Sequence, residues 1–236
     1  MIYLTGDTHG SIDINKLSST KWPEGKTLTK DDYLIILGDF GVVWNYLQPD
    51  KEENYWLKWL DDKPWTTLFV DGNHESMDRL FAFPETDMFG SRAGKISNSV
   101  YHLKRGRIYT IDSKTFFCMG GAESHDKERR VEGISWWKTE IPSDDEFRLG
   151  ILSLELNNWQ VDYVLSHEGP KIAISNILKR IFKNDYTEMK HNPLFRYFEY
   201  LLKNLEFRKW YFGHHHLDVE IDKFYCLYDR IVKLEE

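Results

Sequence analysis

Five apolar runs in this chain have the composition of buried β-strands, and each is followed at once by residues whose side chains bind metal ions. The five run ends are Gly6-Asp7-Thr8-His9, Gly38-Asp39, Gly72-Asn73-His74-Glu75, Ser166-His167 and Gly213-His214-His215-His216. In open α/β sheets, ligands bind outside the carboxyl ends of the strands. One such end alone is typical of an ordinary turn, but five in one chain are not explained by chance. The pattern therefore predicts a sheet fold with a functional site at one edge.

The amino-terminal third alternates strands with a helix. The apolar runs Ile2–Leu4, Tyr33–Leu37 and Thr67–Val70 predict buried strands. Residues 51–62 carry large apolar side chains at helical spacing, which predicts a helix packed on the sheet. That stripe consists of Tyr55, Trp56, Trp59 and Leu60. Strand, helix and strand in this order indicate a largely parallel sheet with right-handed crossovers.

The rest of the chain predicts antiparallel strands and further helices. The runs Tyr109–Ile111 and Thr115–Met119 predict a hairpin, which makes the architecture mixed. Ser143 and Glu146 form a capping box, so a helix should begin there and end near residue 157. Its predicted inward residues are Phe147, Leu149, Leu152 and Leu156. Other predicted elements are helices at Ser76–Phe83, Lys171–Phe182 and Pro193–Leu205, and strands at Val161–Leu165, Lys209–Phe212, Val219–Ile221 and Phe224–Leu227.

Residues 123–143 form the least periodic segment of the chain. A loop of this length is expected at the surface, where it serves as a lid or substrate wall, or is a variable insertion. No composition break marks a linker, so we expect a single domain over residues 1–236, with this segment as its candidate lid.

Composition limits the classes of function. The chain has 236 residues and a formal net charge of −7, which argues against general nucleic-acid binding. Cys118 and Cys226 lie in apolar runs, so we expect buried free thiols in a reducing compartment. Neither a signal segment nor an apolar run of ~18 residues is present in the sequence. We therefore expect a soluble cytoplasmic protein that binds no membrane.

The polar residues at the five run ends share one chemistry. They offer carboxylate, imidazole and carboxamide donors without thiolate, a mixture suited to divalent ions such as Mn²⁺, Fe²⁺ and Zn²⁺. The set consists of Asp7, His9, Asp39, Asn73, His167, His214 and His216. This set is larger than one ion needs once water is included. Two metal ions that share one carboxylate fit it better.

In order, the five blocks resemble the motifs of the calcineurin-like metallophosphoesterase family: Asp-x-His, Gly-Asp, Gly-Asn-His-Glu, His and Gly-His-x-His. The resemblance covers residues 6–216. It implies an α/β fold in which a β-sandwich of two mixed sheets is flanked by helices, in four layers ordered αββα. It also implies hydrolysis of phosphate esters, either monoesters or diesters, by a hydroxide that bridges two metal ions. Both ions are expected to be divalent, and Mn²⁺ is expected before Fe²⁺ or Zn²⁺.

The resemblance also implies a role for each motif residue. Asp7, His9 and His216 would hold one ion, while Asn73, His167 and His214 would hold the other. Asp39 would bridge the two ions, and His74 would be the general acid that protonates the leaving group. Glu75 is expected to orient the His74 ring, or to serve as an acid at a helix amino terminus. Gly72 is expected to let the backbone turn sharply after the third strand.

The sequence motifs indicate fewer residues for substrate binding than for metal binding. Protein phosphatases of this superfamily carry an Asp-Arg pair after the Gly-Asp block, whereas Phe40 and Gly41 stand in this chain after Asp39. Arg129, Arg130 and His125, in the irregular segment, are the candidate substrate-binding residues. Residues 120–122, Asp126-Lys127 and Trp136-Trp137 resemble small bacterial and bacteriophage members of the superfamily. Outside the motifs, His102 and His191 are expected to be ordinary histidines, and His215 is expected to face away from its neighbours.

The sequence is also compatible with two alternative functions. A nuclease of the same superfamily would apply this chemistry to a nucleic-acid strand, against which the acidic charge argues. A non-catalytic interaction module would be expected to have lost ligands, yet every motif ligand is present.

Overall fold

A computed structural model describes residues 1–183 and 192–235 of the chain. The strands are β1 (Ile2–Thr5), β2 (Tyr33–Leu37), β3 (Thr66–Val70), β4 (Glu85–Met88), β5 (Ser91–Lys95), β6 (Val100–Leu103), β7 (Arg107–Ile111), β8 (Lys114–Met119), β9 (Tyr163–Ser166), β10 (Lys209–Phe212), β11 (Val219–Ile221), β12 (Phe224–Cys226) and β13 (Val232–Lys233). The helices are α1 (Lys51–Asp61), α2 (Met77–Ala82), α3 (Asp144–Leu156), α4 (Lys171–Phe182) and α5 (Pro193–Asn204). His191 lies outside the described residues.

The strands form two mixed sheets. One is seven-stranded, in the order β13-β1-β2-β3-β6-β5-β4, and the other is six-stranded, in the order β11-β12-β10-β9-β8-β7. In the first sheet β1, β2, β3 and β6 run parallel, with Leu4 paired to Ile35 and Ile35 to Leu68. In the second sheet β8, β9, β10 and β12 run parallel. The carboxyl ends of parallel neighbours lie at the same edge of each sheet, and the polar run ends are located there.

The sheets pack face to face between two layers of helices. Leu4 and Val70 of the first sheet belong to the same buried cluster as Tyr163 and Leu165 of the second. On the outer face of the first sheet, Trp56 of α1 joins a second cluster, and helices α3, α4 and α5 cover the outer face of the second sheet. The expected α/β sandwich of two mixed sheets flanked by helices is therefore confirmed.

Two predicted helix faces were wrong in part. In α3, Leu152 and Leu156 are 55% and 88% exposed, whereas Leu154 is buried. The face that packs on the second sheet has the spacing i, i+3, i+4 and i+7 and consists of Phe147, Gly150, Ile151 and Leu154. In α1, Trp56 and Leu60 are buried as expected, but Tyr55 is 59% exposed.

Strands β4, β5, β6 and β13 had no counterpart in the sequence prediction. Strands β4 and β5 pair antiparallel near the edge of the first sheet, and exposed residues alternate with half-buried ones along β4. A strand of this kind, with charged residues and a glycine, lacks the apolar run by which a buried strand is recognised.

Residues 123–143 are better packed than a mobile surface loop would be. Ser124, Trp137 and Glu140 are buried. The Glu140 carboxylate accepts hydrogen bonds from the backbone N–H groups of Ser124, at 3.0 Å, and Trp137, at 3.2 Å. The Trp137 indole donates to Asp78 of α2 at 3.1 Å. The segment is therefore fixed to the fold on the side that faces the strand ends.

A buried ion pair joins this segment to the end of β3. Arg105 donates to the Asp71 carboxylate at 2.8 Å and to the carbonyl oxygens of Thr139 and Glu140 at 2.9 and 3.1 Å. His102 lies 2.9 Å from the other Asp71 oxygen. Burial acts to raise the pKa of Asp71, but Arg105 and His102 outweigh it and hold that pKa below its usual range. Loss of one partner from such a pair generally costs about 3–5 kcal/mol, because the other charge stays buried.

Both cysteines, Cys118 and Cys226, are buried and unpaired, as expected. Among the described residues, no helix has the length and apolar character needed to cross a lipid bilayer.

Candidate metal centre

The five strand ends bring their polar side chains together into two adjoining groups. One contains Asp7, His9, Asp39 and His216, and the other contains Asp39, His167 and His214. Within each group, one donor atom from every residue lies within 4.8 Å of the others. Asn73 adjoins these groups: its backbone N–H donates to Asp39 at 2.8 Å, and its side-chain carboxamide donates to Ser124 at 3.2 Å. Asp39 is common to both groups.

The position of the Asp39 carboxylate is fixed by its neighbours. Its Oδ1 accepts hydrogen bonds from the backbone N–H groups of Asn73, at 2.8 Å, and His74, at 2.9 Å. The same Oδ1 lies 3.1 Å from His167 Nε2, while Oδ2 lies 3.2 Å from His9 Nε2. Each oxygen thus faces one of the two groups, which is the placement that a bridging ligand requires.

Hydrogen bonds orient two of the histidine rings. His9 Nδ1 lies 2.8 Å from Asp13 Oδ2, and His167 Nδ1 lies 2.7 Å from the carbonyl oxygen of Leu37. Both acceptors need a proton on Nδ1, so in the neutral ring Nε2 presents a lone pair to the centre. Metal-binding histidines are commonly held in this way by their second ring nitrogen.

Among the described residues, four buried donor atoms in the centre lack a hydrogen-bond partner: Asp7 Oδ2, Asn73 Oδ1, His167 Nε2 and His214 Nε2. Asp7 Oδ2 and His167 Nε2 do have neighbours, His216 Nε2 at 3.3 Å and Asp39 Oδ1 at 3.1 Å, but not in hydrogen-bonding geometry. Buried polar atoms are nearly always paired. All four are of a type that donates an electron pair to a cation, so the residues present fit divalent metal ions.

The charged side chains in the centre favour the binding of a cation. Burial acts to lower the pKa of His167, but Asp39 and Asp7 outweigh it and raise that pKa to about 10. Burial acts to raise the pKa of Asp39, but His167 and His9 outweigh it and hold that pKa well below the usual range. Two buried carboxylates side by side are stabilised by any cation that lies between the rings.

Four of the polar side chains stand on strained backbone. His9, Asp39, His214 and His216 have φ angles of 43°, 46°, 66° and 50°. Residues other than glycine rarely adopt this left-handed region, at a cost of roughly 1–2 kcal/mol each. Such strain persists only where the surrounding structure enforces it, and it is concentrated at functional sites.

Gly72 has a different purpose from the sharp turn that the sequence suggested. Its φ is not in the left-handed region. Instead, a Cβ atom on Gly72 would lie 2.2 Å from Asp39 Oδ1 and 2.8 Å from the His167 ring. Gly213 is confined in the same way, since its Cβ would lie 2.3 Å from Asp7 Oδ1. These glycines leave the space into which the carboxylates of neighbouring strands pack.

Glu75 does not orient His74, contrary to expectation. It is fully buried, and its carboxylate accepts hydrogen bonds from the backbone N–H groups of Phe40, at 2.7 Å, and Gly72, at 2.9 Å. It therefore ties the loop after β2 to the loop after β3. Burial and the charges of Asp39 and Asp71 raise the pKa of Glu75 to about 8.

The His74 ring lies next to the centre but outside both groups. It is stacked on Trp44, with ring centroids 5.6 Å apart, and it meets the His9 ring edge-on at 5.2 Å. Among the described residues, none forms a hydrogen bond with the His74 ring. Burial lowers the pKa of His74, although Asp39 opposes this. The ring is therefore free to exchange a proton with a bound molecule.

Sequence reasoning missed two buried charged residues beside the centre. Lys16 donates to the backbone oxygens of Gly6 and Asp7 at 3.0 and 2.9 Å, which holds the end of β1. Glu168 lies 3.0 Å from His215 Nε2 and 3.9 Å from His214 Nε2, and His215 is in neither donor group. Glu168 directly follows a motif histidine, and this was its only signal. Lys16 had none, because no motif links it to the backbone oxygens of Gly6 and Asp7 that it binds.

The three candidate substrate-binding residues lie in different surroundings. Arg130 is partly buried and ion-paired to Asp126 at 2.7 Å, and its charge helps to lower the pKa of His74, although burial is the larger cause. The His125 ring lies 5.3 Å from the His214 ring. Arg129 is exposed, and within the described part of the chain its side chain makes no ion pair or hydrogen bond.

Comparison with known proteins is informative at the level of the family. A family model described as calcineurin-like phosphoesterase matches residues 1–218. A comparison with curated proteins finds no match.

The close approach at Gly72 gives a test of the centre. We expect Gly72→Ala to displace Asp39 and to weaken Mn²⁺ binding by about 10–100-fold, the usual effect of disturbing the support of a ligand. Gly94→Ala is the matched control, because its Cβ would meet nothing closer than 3.4 Å. Calorimetric titration with Mn²⁺ measures both affinities. Unchanged binding by folded Gly72→Ala protein would contradict the placement of Asp39.

Proposed function

The chain belongs to the calcineurin-like phosphoesterase family, and we propose that it hydrolyses phosphate esters with two divalent metal ions held at the strand ends. The observation that carries this proposal is the pair of donor groups that share Asp39. Together with the neighbouring Asn73, they hold four buried donor atoms that have no hydrogen-bond partner among the described residues. We also propose that the chain forms one catalytic domain, with residues 123–143 as a wall of the substrate site.

We assign six of the ligands by their positions in the two groups, and Asn73 by the family resemblance of its motif. Asp7, His9 and His216 would hold one ion, and Asn73, His167 and His214 the other. Asp39 would contact both ions, since each of its oxygens faces one group. When bound, the two ions supply Lewis-acid chemistry, lowering the pKa of water and offsetting the charge on the phosphoryl oxygens. The donor set suits Mn²⁺, with Fe²⁺ and Zn²⁺ as alternatives.

His74 is the residue that we assign to proton transfer. Its ring borders the centre without contributing to either donor group, and no described residue competes for its nitrogens. A protonated ring in this position can give its proton to the departing oxygen of the ester. General acids of this kind typically contribute 10²–10⁴-fold to the rate, about 3–5 kcal/mol of barrier.

The buried free thiols support a location in a reducing compartment such as the cytoplasm. The net charge of −7 does not favour a polyanionic partner.

Metal removal tests the proposed activity. We expect protein stripped by a chelator to be inactive on 4-nitrophenyl phosphate and on bis(4-nitrophenyl) phosphate, and Mn²⁺ to restore hydrolysis of at least one of them. Release of nitrophenolate is the readout, with bound metal measured in the same sample. If protein that holds two ions hydrolyses neither ester, the proposal is wrong.

His74→Gln tests the general acid. Because nitrophenolate leaves readily without a proton and an alkyl alkoxide does not, we expect kcat to fall by about 10²–10⁴ for alkyl phosphate esters and much less for nitrophenyl esters. The number of bound ions should stay at the wild-type value. An equal loss of kcat for both classes of ester, or loss of an ion, would remove His74 from this role.

The two neighbouring arginines serve as controls for each other. We expect Arg130→Ala to raise KM by about tenfold or more, since a charge-assisted hydrogen bond contributes about 1.5–3 kcal/mol. Arg129→Ala should leave KM within about twofold of wild type, because its side chain is solvated. Steady-state kinetics on one nitrophenyl ester would decide. The reverse order of effects would transfer the phosphate-binding role to Arg129.

A further inference from the structure

A cavity of about 340 Å³ adjoins His74. His9 and His74 line it where it meets the metal centre, and Trp44 and Trp56 supply aromatic walls. Asp50 and Glu52, at the start of α1, line it as well. We call this space the Trp44 cleft. Its volume is within the range of small-molecule sites, and a cavity of about 150 Å³ already holds a benzene ring.

The position of the Trp44 cleft relative to His74 determines what it can receive. A general acid must reach the leaving oxygen, so the alcohol part of a bound ester lies on the side of His74. The cleft opens on that side. The centre itself takes the phosphoryl group, because the donor groups lie there.

The carboxylates that line the Trp44 cleft have no lysine or arginine side chain beside them in the described lining. They belong to three acidic residues, Asp50, Glu52 and Glu53. Glu53 is neutralised by Arg79, which donates to both of its oxygens at 2.7 Å. Asp50 and Glu52 remain. The backbone N–H of Glu53 is the main cause that holds the pKa of Asp50 below its usual value, so Asp50 is ionised at neutral pH.

From these features we propose that the Trp44 cleft binds the alcohol part of the substrate and selects an alcohol that carries a positively charged ammonium group. An ammonium group there would be attracted to Asp50 and Glu52, and to the face of a tryptophan. A leaving group that carries further phosphate or carboxylate would be repelled by the same two residues. Esters of nucleotides and nucleic-acid strands are therefore poor substrates. This inference rests on the proposed phosphoesterase activity.

Three matched aryl phosphates test the proposal: the 4-(aminomethyl)phenyl, 4-(hydroxymethyl)phenyl and 4-carboxyphenyl esters, which carry cationic, neutral and anionic groups. We expect the wild-type, Mn²⁺-loaded protein to have its highest kcat/KM on the ammonium ester. In the double variant Asp50→Asn, Glu52→Gln the ratio of kcat/KM between ammonium and carboxylate esters should fall at least about tenfold. Comparing variant with wild type on each ester cancels the intrinsic reactivity of the leaving group.

The substitutions are chosen to preserve the fold. Asp50 caps α1 by accepting the Glu53 backbone N–H at 2.9 Å, and asparagine caps a helix equally well. Asp87→Asn is the control for removal of an exposed carboxylate outside the Trp44 cleft, and it should leave the ratio unchanged. A second measurement needs no variant: the wild-type ratio should fall as salt rises from about 0.01 M to 1 M, because the screening length shortens from about 30 Å to 3 Å.

The outcomes separate the two proposals. If wild type hydrolyses all three esters with the same preference as the double variant, and salt does not change the ratio, the selection by charge is wrong while the phosphoesterase stands. If wild type with two bound ions hydrolyses none of the three, the phosphoesterase proposal itself fails, and this inference fails with it.

Discussion

The site depends on one constraint, the burial of two neighbouring carboxylates, those of Asp7 and Asp39. Both are fully inaccessible or nearly so. A buried anion is costly unless charges or hydrogen bonds compensate it. Asp39 is compensated by two backbone N–H groups and two imidazoles, but one oxygen of Asp7 has no hydrogen-bond partner in the part of the chain that the structure describes. The surrounding histidines are turned so that Nε2 faces the same space. Divalent cations there would satisfy the carboxylates and the imidazoles together.

The rest of the fold positions and supports this buried cluster. The parallel strands of both sheets end at it, which lets residues remote in sequence approach within a few ångströms. Asp39 reaches it on left-handed backbone, and Gly72 leaves the space for its carboxylate. Buried hydrogen bonds of Glu75 join the loops after β2 and β3, and the Asp71–Arg105 pair joins the end of β3 to residues 123–143. The energy that strain and burial cost at the centre is thus offset by the packing of the sandwich around it.

Sequence alone predicted most of the buried strands, although not β6, and it singled out the residues that the structure gathers into two groups, because apolar runs and their polar ends are local signals. It failed where the cause was tertiary. The role of Gly72 depends on Asp39, which is far away in sequence, and the partners of Glu75 include Phe40. The exposed face of α3, with Leu152, depends on which side meets the second sheet. The edge strand β4 and its neighbour β5 lack an apolar run. The pairing of donors into two groups came from the family resemblance and could not be obtained from spacing.

The central claim, that two metal ions share Asp39, is tested most directly by anomalous diffraction from crystals grown with Mn²⁺. The account predicts two anomalous peaks about 3.5–4 Å apart, the spacing usual for two-metal sites, with one Asp39 oxygen bound to each ion. Asp7 and His9 should lie against one peak, and Asn73 and His167 against the other. A single peak, or two peaks of which only one contacts Asp39, would contradict it.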